Sequence, residues 1–264
     1  MKATIVGGGV MGEAILGAAL ERGVFGAGDV TVVEIVEARR NHLHTRYSVS
    51  TATEVPGAVA DADIVLLAVK PQDLGSVGGT LKPDALLISI MAGVKMESVV
   101  RVFRHNRVVR VMPNTPVAAK AGMSVWTASP AVTDAQRELT RGLLGSFGRE
   151  LYVAEEKKLD MATAVSGSGP AYVFLFMEAM IEGGVAIGLT RAQAEEMTLQ
   201  TVYGSALYAR ESGRSAADLR AMVTSPAGTT AAGLLELEKG ALRASIIEAV
   251  RAAHRRAIEL GEPA

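Results

Sequence analysis

The chain has 264 residues, of which 49% are apolar, with a formal net charge of −1 and no cysteine. The near-neutral charge and the lack of a polybasic run argue against a nucleic-acid binder or a membrane-surface protein. The absence of cysteine excludes disulfides and thiolate metal ligands, and we expect no metal site.

The first residues predict a β-strand rather than a targeting signal. Residues 3–6, "ATIV", are apolar and β-branched, and no charged segment with a long apolar run is found there. The most apolar later stretch, residues 171–189, is interrupted by Glu178, Glu182 and three glycines, which argues against a membrane span. We therefore expect a cytoplasmic protein without a membrane partner.

Strand and helix patterns alternate through the first part of the chain. One helix is predicted from Val10 to about Arg22, another at 95–104, and a third from Thr133 to about Leu144 with a capping box. Apolar runs predict strands at 3–6, 30–34, 62–71, 85–93, 107–113 and 123–129, and residues 149–153, "RELYV", are expected to end the sheet. This rhythm predicts a mostly parallel α/β sheet covered by helices on both faces.

After Tyr152 the patterns are helical throughout, so we predict two domains, residues 1–152 and residues 153–264. Thr190 and Ser215 resemble helix starts, and a last helix is expected at about 240–260. The helix at about 171–187 is apolar on nearly all sides, and a unit of about 110 residues is small for burying it alone. We therefore expect this domain to pack against another chain.

A glycine-rich turn between the first strand and the first helix predicts a dinucleotide site. A turn that binds nothing is the alternative, but strand, turn and helix stand in the order that the G-x-G-x-x-G motif requires. The first glycine permits the tight turn, the third lets the backbone approach a pyrophosphate, and the last lets helix and strand pack closely. The motif consists of Gly7, Gly8, Gly9, Val10, Met11 and Gly12.

Glu34 closes the second strand about twenty residues after the motif, where an acidic residue hydrogen-bonds the adenine ribose. We expect NADH or NADPH as the cofactor. The Glu34 carboxylate would repel the 2′-phosphate of NADPH, so we expect a preference for NADH. Arg39 and Arg40 lie close by, and solvated charges on a helix are the commoner role for such a pair.

Further strand ends fall on the same rim of the predicted sheet, where ligands of open α/β sheets bind. Lys70 either reaches a phosphate or ribose or faces water. The candidate cofactor contacts on this rim are Ala68, Val69, Lys70, Pro71, Met91, Ala92, Gly93 and Asn114.

Six segments in chain order carry a resemblance to a known family: "GGGVMG", "AVKP", "SIMAG", "RVMPNTP", "AVSGSGPAY" and "VTSPAGTT". With these motifs the chain resembles the pyrroline-5-carboxylate reductases. The resemblance implies a Rossmann N-terminal domain and an all-α C-terminal domain that binds substrate and forms a homodimer, with a ring of dimers as a further expectation. It also implies hydride transfer from NAD(P)H to the C=N bond of 1-pyrroline-5-carboxylate, which gives L-proline in the last step of proline biosynthesis.

Two positions depart from the pattern of the family. Glu34 stands where relatives carry small or hydroxyl residues suited to a 2′-phosphate, and Ala227 stands where glycine is common. The first departure bears on the choice of cofactor, and the second reduces the conformational freedom of the "SPAGTT" loop.

The uncharged loop "VTSPAGTT", residues 223–230, is the candidate substrate site under this resemblance. Backbone N–H groups from Gly228 to Thr230 at a helix start bind a carboxylate without a cationic side chain. Ser225 and Thr229 add hydroxyl donors, and by resemblance Thr230 contacts the ring nitrogen and is the candidate catalytic residue. An ordinary helix cap is the alternative interpretation of the loop taken alone.

Two other function classes stay open. β-Hydroxyacid dehydrogenases share the fingerprint and a helical second domain, but they use a lysine after a glycine-rich segment, whereas "SGSGPAYVFLFMEAM" contains neither lysine nor asparagine. A dinucleotide-binding regulatory protein without turnover is the second alternative. All four histidines lie outside the motifs, as expected if the cofactor carries the reaction.

Overall fold

The computed structural model describes residues 1–261, which form two compact units. The first unit comprises Met1–Ser168 and the segment from Ala252 onwards, and the second comprises Gly169–Arg251. The last strand ends at Tyr152, and every later element in the described range is helical. The predicted boundary after Tyr152 marks this change in secondary structure, and as a domain boundary it stays a prediction.

The first unit contains one mostly parallel sheet, which confirms the predicted fold class. The strands are β1 Ala3–Val6, β2 Val30–Val33, β3 Ser50–Ala52, β4 Ile64–Leu67, β5 Leu86–Ser89, β6 Val108–Met112, β7 Gly122–Ala128 and β8 Gly148–Tyr152. Their order in the sheet is β3-β2-β1-β4-β5-β6-β7-β8, and β6 and β7 pair antiparallel. The first six strands have the dinucleotide-binding order, with the switch point between β1 and β4. The short edge strand β3 was missed by the sequence analysis.

The helices begin and end close to the predicted positions where a capping signal marks them. Thr133 and Gln136 form the predicted capping box of α5, and Thr190 and Gln193 form a second one on α8. The helices are α1 Val10–Glu21, α2 Glu37–Tyr47, α3 Val55–Val59, α4 Met96–Phe103, α5 Asp134–Gly145, α6 Lys158–Ala162, α7 Gly169–Ala186, α8 Arg191–Ser212, α9 Ala216–Met222, α10 Thr229–Lys239 and α11 Leu242–Leu260.

The sheet is buried on both faces because its central strands are almost wholly apolar. Every residue of β1, β4 and β5 is buried. One cluster packs Ile5 with Ile15 of α1, and the opposite cluster packs Leu67 with Phe103 of α4. Full burial of a large aliphatic or aromatic side chain contributes about 1.5–3 kcal/mol, so these two layers hold the strand ends of the unit in place.

A buried arginine ties the chain that follows the last strand to the sheet. Arg110 on β6 is 4% exposed and forms salt bridges of 3.0 Å to both Glu156 and Asp160. The Glu156 carboxylate also accepts a hydrogen bond from the Met96 N–H at 2.8 Å. Removing one partner of such a group leaves a buried charge uncompensated, so the start of α6 is fixed against β6.

The second unit leaves nearly all of its apolar residues partly or fully exposed. Within Gly169–Arg251, all of which the structure describes, only Ala194 and Thr198 are buried. By length and composition, one described helical stretch, Lys158–Ala186, qualifies to cross a membrane, and 6% of its most apolar window is buried. Exposed apolar residues in this number are typical of an interaction site.

Candidate active site

The glycine turn after β1 offers an open, uncapped helix start. Gly9 is the N-cap residue of α1, and among the described residues no side chain caps this turn. A Cβ placed on Gly9 would meet no described atom within 4 Å, so the space above the turn is open. The first N–H groups of α1 therefore face this space at the positive end of the helix dipole and fit a pyrophosphate.

The other glycines of the motif are required by close packing of the backbone. Gly7 has φ +105°, and a Cβ there would lie 2.6 Å from the Ala68 carbonyl oxygen. A Cβ on Gly12 would lie 2.1 Å from the Gly7 carbonyl oxygen, which cannot move without distorting the turn. These positions admit only glycine, because a side chain would separate α1 from β1 and β4.

Glu34 is fixed at the carboxyl end of β2 beside the glycine turn. Its Oε2 accepts a hydrogen bond from the Gly8 N–H at 3.0 Å, and its Oε1 accepts one from the Val36 N–H at 2.9 Å. The carboxylate is thus oriented by two backbone donors. It retains acceptor capacity on both oxygens, which suits a ribose diol.

A cleft of about 740 Å³ opens at the carboxyl ends of β1, β2, β3 and β4. The sequence predicted several of its walls, namely Gly7, Gly9, Glu34, Ala68, Val69 and Lys70. Other walls were not predicted, because they follow the short strand β3 or lie in the turn after Lys70: Thr53, Glu54, Val55, Pro56, Asp73, Ser76 and Val77. The β-branched stretch 49–53 was the available signal for β3.

The two nearby arginines are engaged within the protein. Arg39 forms a 2.6 Å salt bridge with Glu13 on α1, and its Nε donates to the Gly8 carbonyl oxygen at 3.2 Å. Arg40 donates from Nη1 to the backbone carbonyl oxygens of Glu34 and Ile35, both at 2.8 Å. Both guanidinium groups thus hold the backbone around the glycine turn.

Glu13 is the centre of a charged cluster between α1 and α2. Besides Arg39, its carboxylate contacts His42 Nε2 at 2.8 Å and accepts a hydrogen bond from the Tyr47 hydroxyl at 3.2 Å. Burial raises the pKa of Glu13, but hydrogen bonds from His42 and Arg39 outweigh burial and leave this pKa below its ordinary value. Burial and the Glu13 charge raise the pKa of Tyr47. Glu13 is therefore ionised at neutral pH and keeps Arg39 in place.

The remaining predicted cofactor residues of this unit lie outside the cleft walls. Val10 is 82% exposed at the start of α1, and Met11 packs partly against the core. Met91 is buried after β5, and Gly93 has φ +75°, where a Cβ would lie 3.0 Å from Leu260 Cβ. Their contact with the cofactor stays a prediction, as does that of Gly8, Gly12, Pro71, Ala92 and Asn114.

Asn114 follows β6, and its side chain is bonded within the fold. Its Oδ1 accepts from the Met123 N–H at 2.8 Å, and its Nδ2 donates to the Ser166 carbonyl oxygen at 3.0 Å. Ser166 lies in a π-helical turn, Thr163–Gly167, which was not predicted. π-helical turns are frequent at functional sites, and this one contains the start of "SGSGPAY".

The predicted substrate loop of the second unit forms a tight turn at the start of α10. The Gly228 N–H donates to the Ser225 carbonyl oxygen at 3.1 Å across Pro226, and Ala227 has φ 57°. Proline followed by a residue with positive φ is the pattern of a type II turn. A Cβ on Gly228 would lie 2.4 Å from Ser225 Oγ and 3.2 Å from the Ser225 carbonyl oxygen, so a larger residue here would displace the Ser225 hydroxyl.

The first turn of α10 is open to an anion. Gly228 is its N-cap residue, and no side chain of the described chain caps this turn. Ser225, Thr229 and Thr230 are exposed around it. The turn thus combines free N–H groups with three hydroxyls and no charged side chain, which suits a small carboxylate. The roles of these residues stay predictions.

Comparison with known proteins covers nearly the whole chain. Residues 156–260 match the family model described as pyrroline-5-carboxylate reductase dimerisation, and residues 2–93 match one described as NADP oxidoreductase coenzyme F420-dependent. The pyrroline-5-carboxylate reductase of Synechocystis sp. is 42% identical over 263 residues, which cover 98% of this chain and 97% of that protein.

Solved structures of such enzymes have the same fold. A pyrroline-5-carboxylate reductase from Coxiella burnetii superposes with a TM-score of 0.88 at 33% identity and covers 99% of both chains. The Plasmodium falciparum pyrroline carboxylate reductase with NADP bound has a TM-score of 0.88 at 29% identity, covering 99% of this chain and 98% of that one. The chain belongs to the pyrroline-5-carboxylate reductase family of oxidoreductases.

Proposed function

We propose that this chain reduces 1-pyrroline-5-carboxylate to L-proline with NAD(P)H, the last step of proline biosynthesis. The observation that carries the proposal is the 42% identity to the Synechocystis sp. enzyme over 98% of the chain. The open starts of α1 and α10 support it chemically, because the reaction needs a site for a pyrophosphate and a site for a carboxylate.

The substrate carboxylate binds at the first turn of α10. The N–H groups after Gly228 receive it, and the Ser225 and Thr229 hydroxyls add donors. A carboxylate at a helix N-terminus gains both hydrogen bonds and a favourable helix dipole. This arrangement requires no arginine or lysine, in agreement with the uncharged loop.

The Thr230 hydroxyl bonds the ring nitrogen of the substrate under this proposal. When bound, the cofactor supplies a hydride to the imine carbon, and the electron pair of the C=N bond moves to the nitrogen, which carries the proton. A hydroxyl can accept a hydrogen bond from the protonated imine and from the resulting amine, so it orients the ring before and after the transfer. Catalysis then rests on positioning rather than on a titrating side chain.

The glycine turn would hold the pyrophosphate of the cofactor, and the walls of the cleft would hold its adenosine half. Carboxylates outnumber ammonium groups on the cleft walls, with Glu34, Glu54 and Asp73 against Lys70. A 2′-phosphate carries a charge near −2, and two unit charges 4 Å apart interact by about 1 kcal/mol in water and about 4 kcal/mol at an effective dielectric constant of 20. We therefore favour NADH over NADPH.

The positions of the arginines support the same preference. Arg39 is paired with Glu13, and Arg40 is bonded to backbone carbonyls. A 2′-phosphate would have to compete with these partners for a guanidinium group.

The second unit forms a homodimer through its helices in the cytoplasm, without a membrane, and a ring of such dimers is the larger assembly we expect. The match of residues 156–260 to the dimerisation model supports self-association. The exposed apolar residues of α7, among them Phe174, Leu175 and Phe176, supply the apolar surface for it. Sedimentation of the purified protein measures the assembly directly.

An assay with the purified protein tests the reaction. We expect NADH oxidation when 1-pyrroline-5-carboxylate is added, with L-proline as the product. Oxidation with a 3-oxo acid instead would identify a β-hydroxyacid dehydrogenase. Cofactor binding without turnover of either substrate would identify a regulatory protein.

A further inference from the structure

The Ser166 carbonyl oxygen, which accepts a hydrogen bond from Asn114, lies four residues before a proline. In a helix the Ser166 carbonyl oxygen would accept from the N–H of residue 170. Residue 170 is proline and has no N–H to donate. The Asn114 Nδ2 donates to this oxygen at 3.0 Å in its place.

The orientation of the Asn114 amide is determined by its second partner. The Met123 N–H is a donor, so the Asn114 atom that it reaches at 2.8 Å must be the oxygen. The amide nitrogen therefore points to Ser166, and the assignment of the two atoms follows from the hydrogen-bond network.

This bond lies where the rim of the sheet meets the π-helical turn. Asn114 is two residues beyond the end of β6, and a Cβ on Gly167 would lie 2.6 Å from Met112 Cε, so the turn packs directly on the strand end. The Ser168 N–H donates to the Thr163 carbonyl oxygen at 2.7 Å, which closes the π turn. The backbone of Ser166–Ser168 is thus held at the rim where ligands of such sheets bind.

We infer that Asn114 is a positioning residue that replaces the backbone donor missing at Pro170 and thereby fixes Ser166–Ser168 for the reaction. This role rests on the proposed function and differs from the direct cofactor contact predicted from the sequence. A displacement of about 1 Å at a reacting site costs roughly a hundredfold in rate, so a partial loosening of this segment is expected to lower kcat by roughly tenfold.

A double-mutant cycle tests the inference. Asn114→Ala is expected to lower kcat roughly tenfold with little change in the KM for NADH. Pro170→Ala restores an N–H at position 170, so the double variant Asn114→Ala/Pro170→Ala is expected to recover most of the loss caused by Asn114→Ala. The bond to Met123 is lost in both backgrounds and cancels in the cycle. Ser166→Ala is the matched control, because it leaves the Ser166 carbonyl in place and should show no coupling to Pro170→Ala.

Thermal unfolding at a fixed protein concentration gives a second measurement that does not depend on the reaction. Asn114→Ala is expected to lower the midpoint by roughly 3–6 °C, and Pro170→Ala to recover part of this shift in the double variant. The inference would be overturned if the effects of Asn114→Ala and Pro170→Ala were additive in both measurements. It would also be overturned if Asn114→Ala raised the KM for NADH and left kcat unchanged. If the parent protein does not reduce pyrroline-5-carboxylate, the proposed function fails, and the unfolding cycle still decides whether Asn114 substitutes for the missing donor.

Discussion

The two units of this protein bury their apolar residues to very different extents. In the first unit all residues of β1, β4 and β5 are buried. In the second unit α7 is also rich in apolar residues, yet Phe174 is 58% exposed and Leu175 is 67% exposed. The sequence of the first unit thus specifies its own core, whereas that of the second specifies a surface for another copy of the chain.

The units resemble each other in how they meet a ligand. Each has a helix that starts at a glycine, Gly9 for α1 and Gly228 for α10, and in the described chain neither start is capped by a side chain. Each helix start is available to an anion, the pyrophosphate for α1 and the carboxylate for α10 under the proposed function. The units therefore share one mode of anion binding, but only the first unit buries its apolar residues within its own chain.

Phe174→Glu on α7 provides the most severe test of the difference in burial between the two units. A charge at Phe174 would be buried and unpaired in the oligomer, which costs several kcal/mol. We therefore expect the oligomer to dissociate and the activity to be lost. Sedimentation and the reductase assay measure the two effects. NADH binding by the first unit is expected to persist.

Leu151→Glu is the matched control, because Leu151 is 51% exposed in the first unit. We expect it to leave the assembly intact. Equal dissociation by both variants would show that the apolar surface of α7 has no special part in assembly.

Gly12→Ala tests the packing of the first unit. A Cβ at Gly12 would lie 2.1 Å from the Gly7 carbonyl oxygen, so the helix must shift and the free energy of unfolding should fall by about 3 kcal/mol. Gly9→Ala is the control, since its Cβ would enter open space. We expect Gly9→Ala to weaken NADH binding without destabilising the fold. If chemical denaturation showed the same stability for both variants, the packing argument would be wrong.

Thr230→Ala tests the chemistry assigned to the second unit. Removing the hydroxyl proposed to bond the imine nitrogen is expected to lower kcat roughly a hundredfold and to leave NADH affinity nearly unchanged. Thr201→Ala is the control, because its hydroxyl donates only to the Met197 carbonyl oxygen on α8 at 2.7 Å. An equal loss of cofactor binding in Thr230→Ala would contradict the role at the ring nitrogen.

Features encoded by a few neighbouring residues were predictable from the sequence. The glycine motif and the Thr133 and Thr190 caps require only local patterns, and the structure has the turn and both caps where predicted. The apolar runs located six strands, because buried strands of a parallel sheet are nearly continuous in apolar residues. The exposed strand β8 was predicted as the end of the sheet. Edge strand β3 has three residues and no such run.

Features that depend on contacts between distant residues were not predictable. Thr53 and Glu54 line the cleft because β3 pairs with β2, and Arg39 meets Glu13 across 26 positions of sequence. Asn114 was predicted as a cofactor contact from its place after a strand, but its bond to Ser166 spans 52 positions. Periodicity and motifs carry no information about such pairs.

Glu34→Ser tests whether the cleft of the first unit selects the cofactor. Loss of the carboxylate removes repulsion of the 2′-phosphate and supplies a hydroxyl donor, so the ratio of kcat/KM for NADPH to that for NADH is expected to rise roughly tenfold. Steady-state kinetics with both cofactors measures this ratio. Glu54→Ser, on the same cleft, should give a smaller change because Glu54 has not been placed at the ribose. An unchanged ratio in Glu34→Ser would mean that Glu34 does not face the ribose.

Ala227→Gly has the smallest expected effect and compares the two glycine-dependent turns. Gly7 of the first unit has φ 105°, whereas the turn before α10 places alanine at φ 57°. Glycine has no Cβ, so it avoids the steric cost of about 1–2 kcal/mol that alanine has in this left-handed conformation, and it loses about 0.5–1 kcal/mol through the entropy of the unfolded chain. The net stabilisation is about 0.5 kcal/mol, which raises the midpoint of thermal unfolding by roughly 1–2 °C.

Ala241→Gly separates the stability of this turn from its role in binding. Ala241 has φ 54° after α10, so the same substitution should stabilise the fold to a similar degree. Ala227→Gly should in addition raise the KM for pyrroline-5-carboxylate, because a freer turn holds the N–H groups of α10 less rigidly for the carboxylate. A KM that changes equally in both variants would show that the turn acts only through stability, and the substrate loop would then be no more than a helix cap.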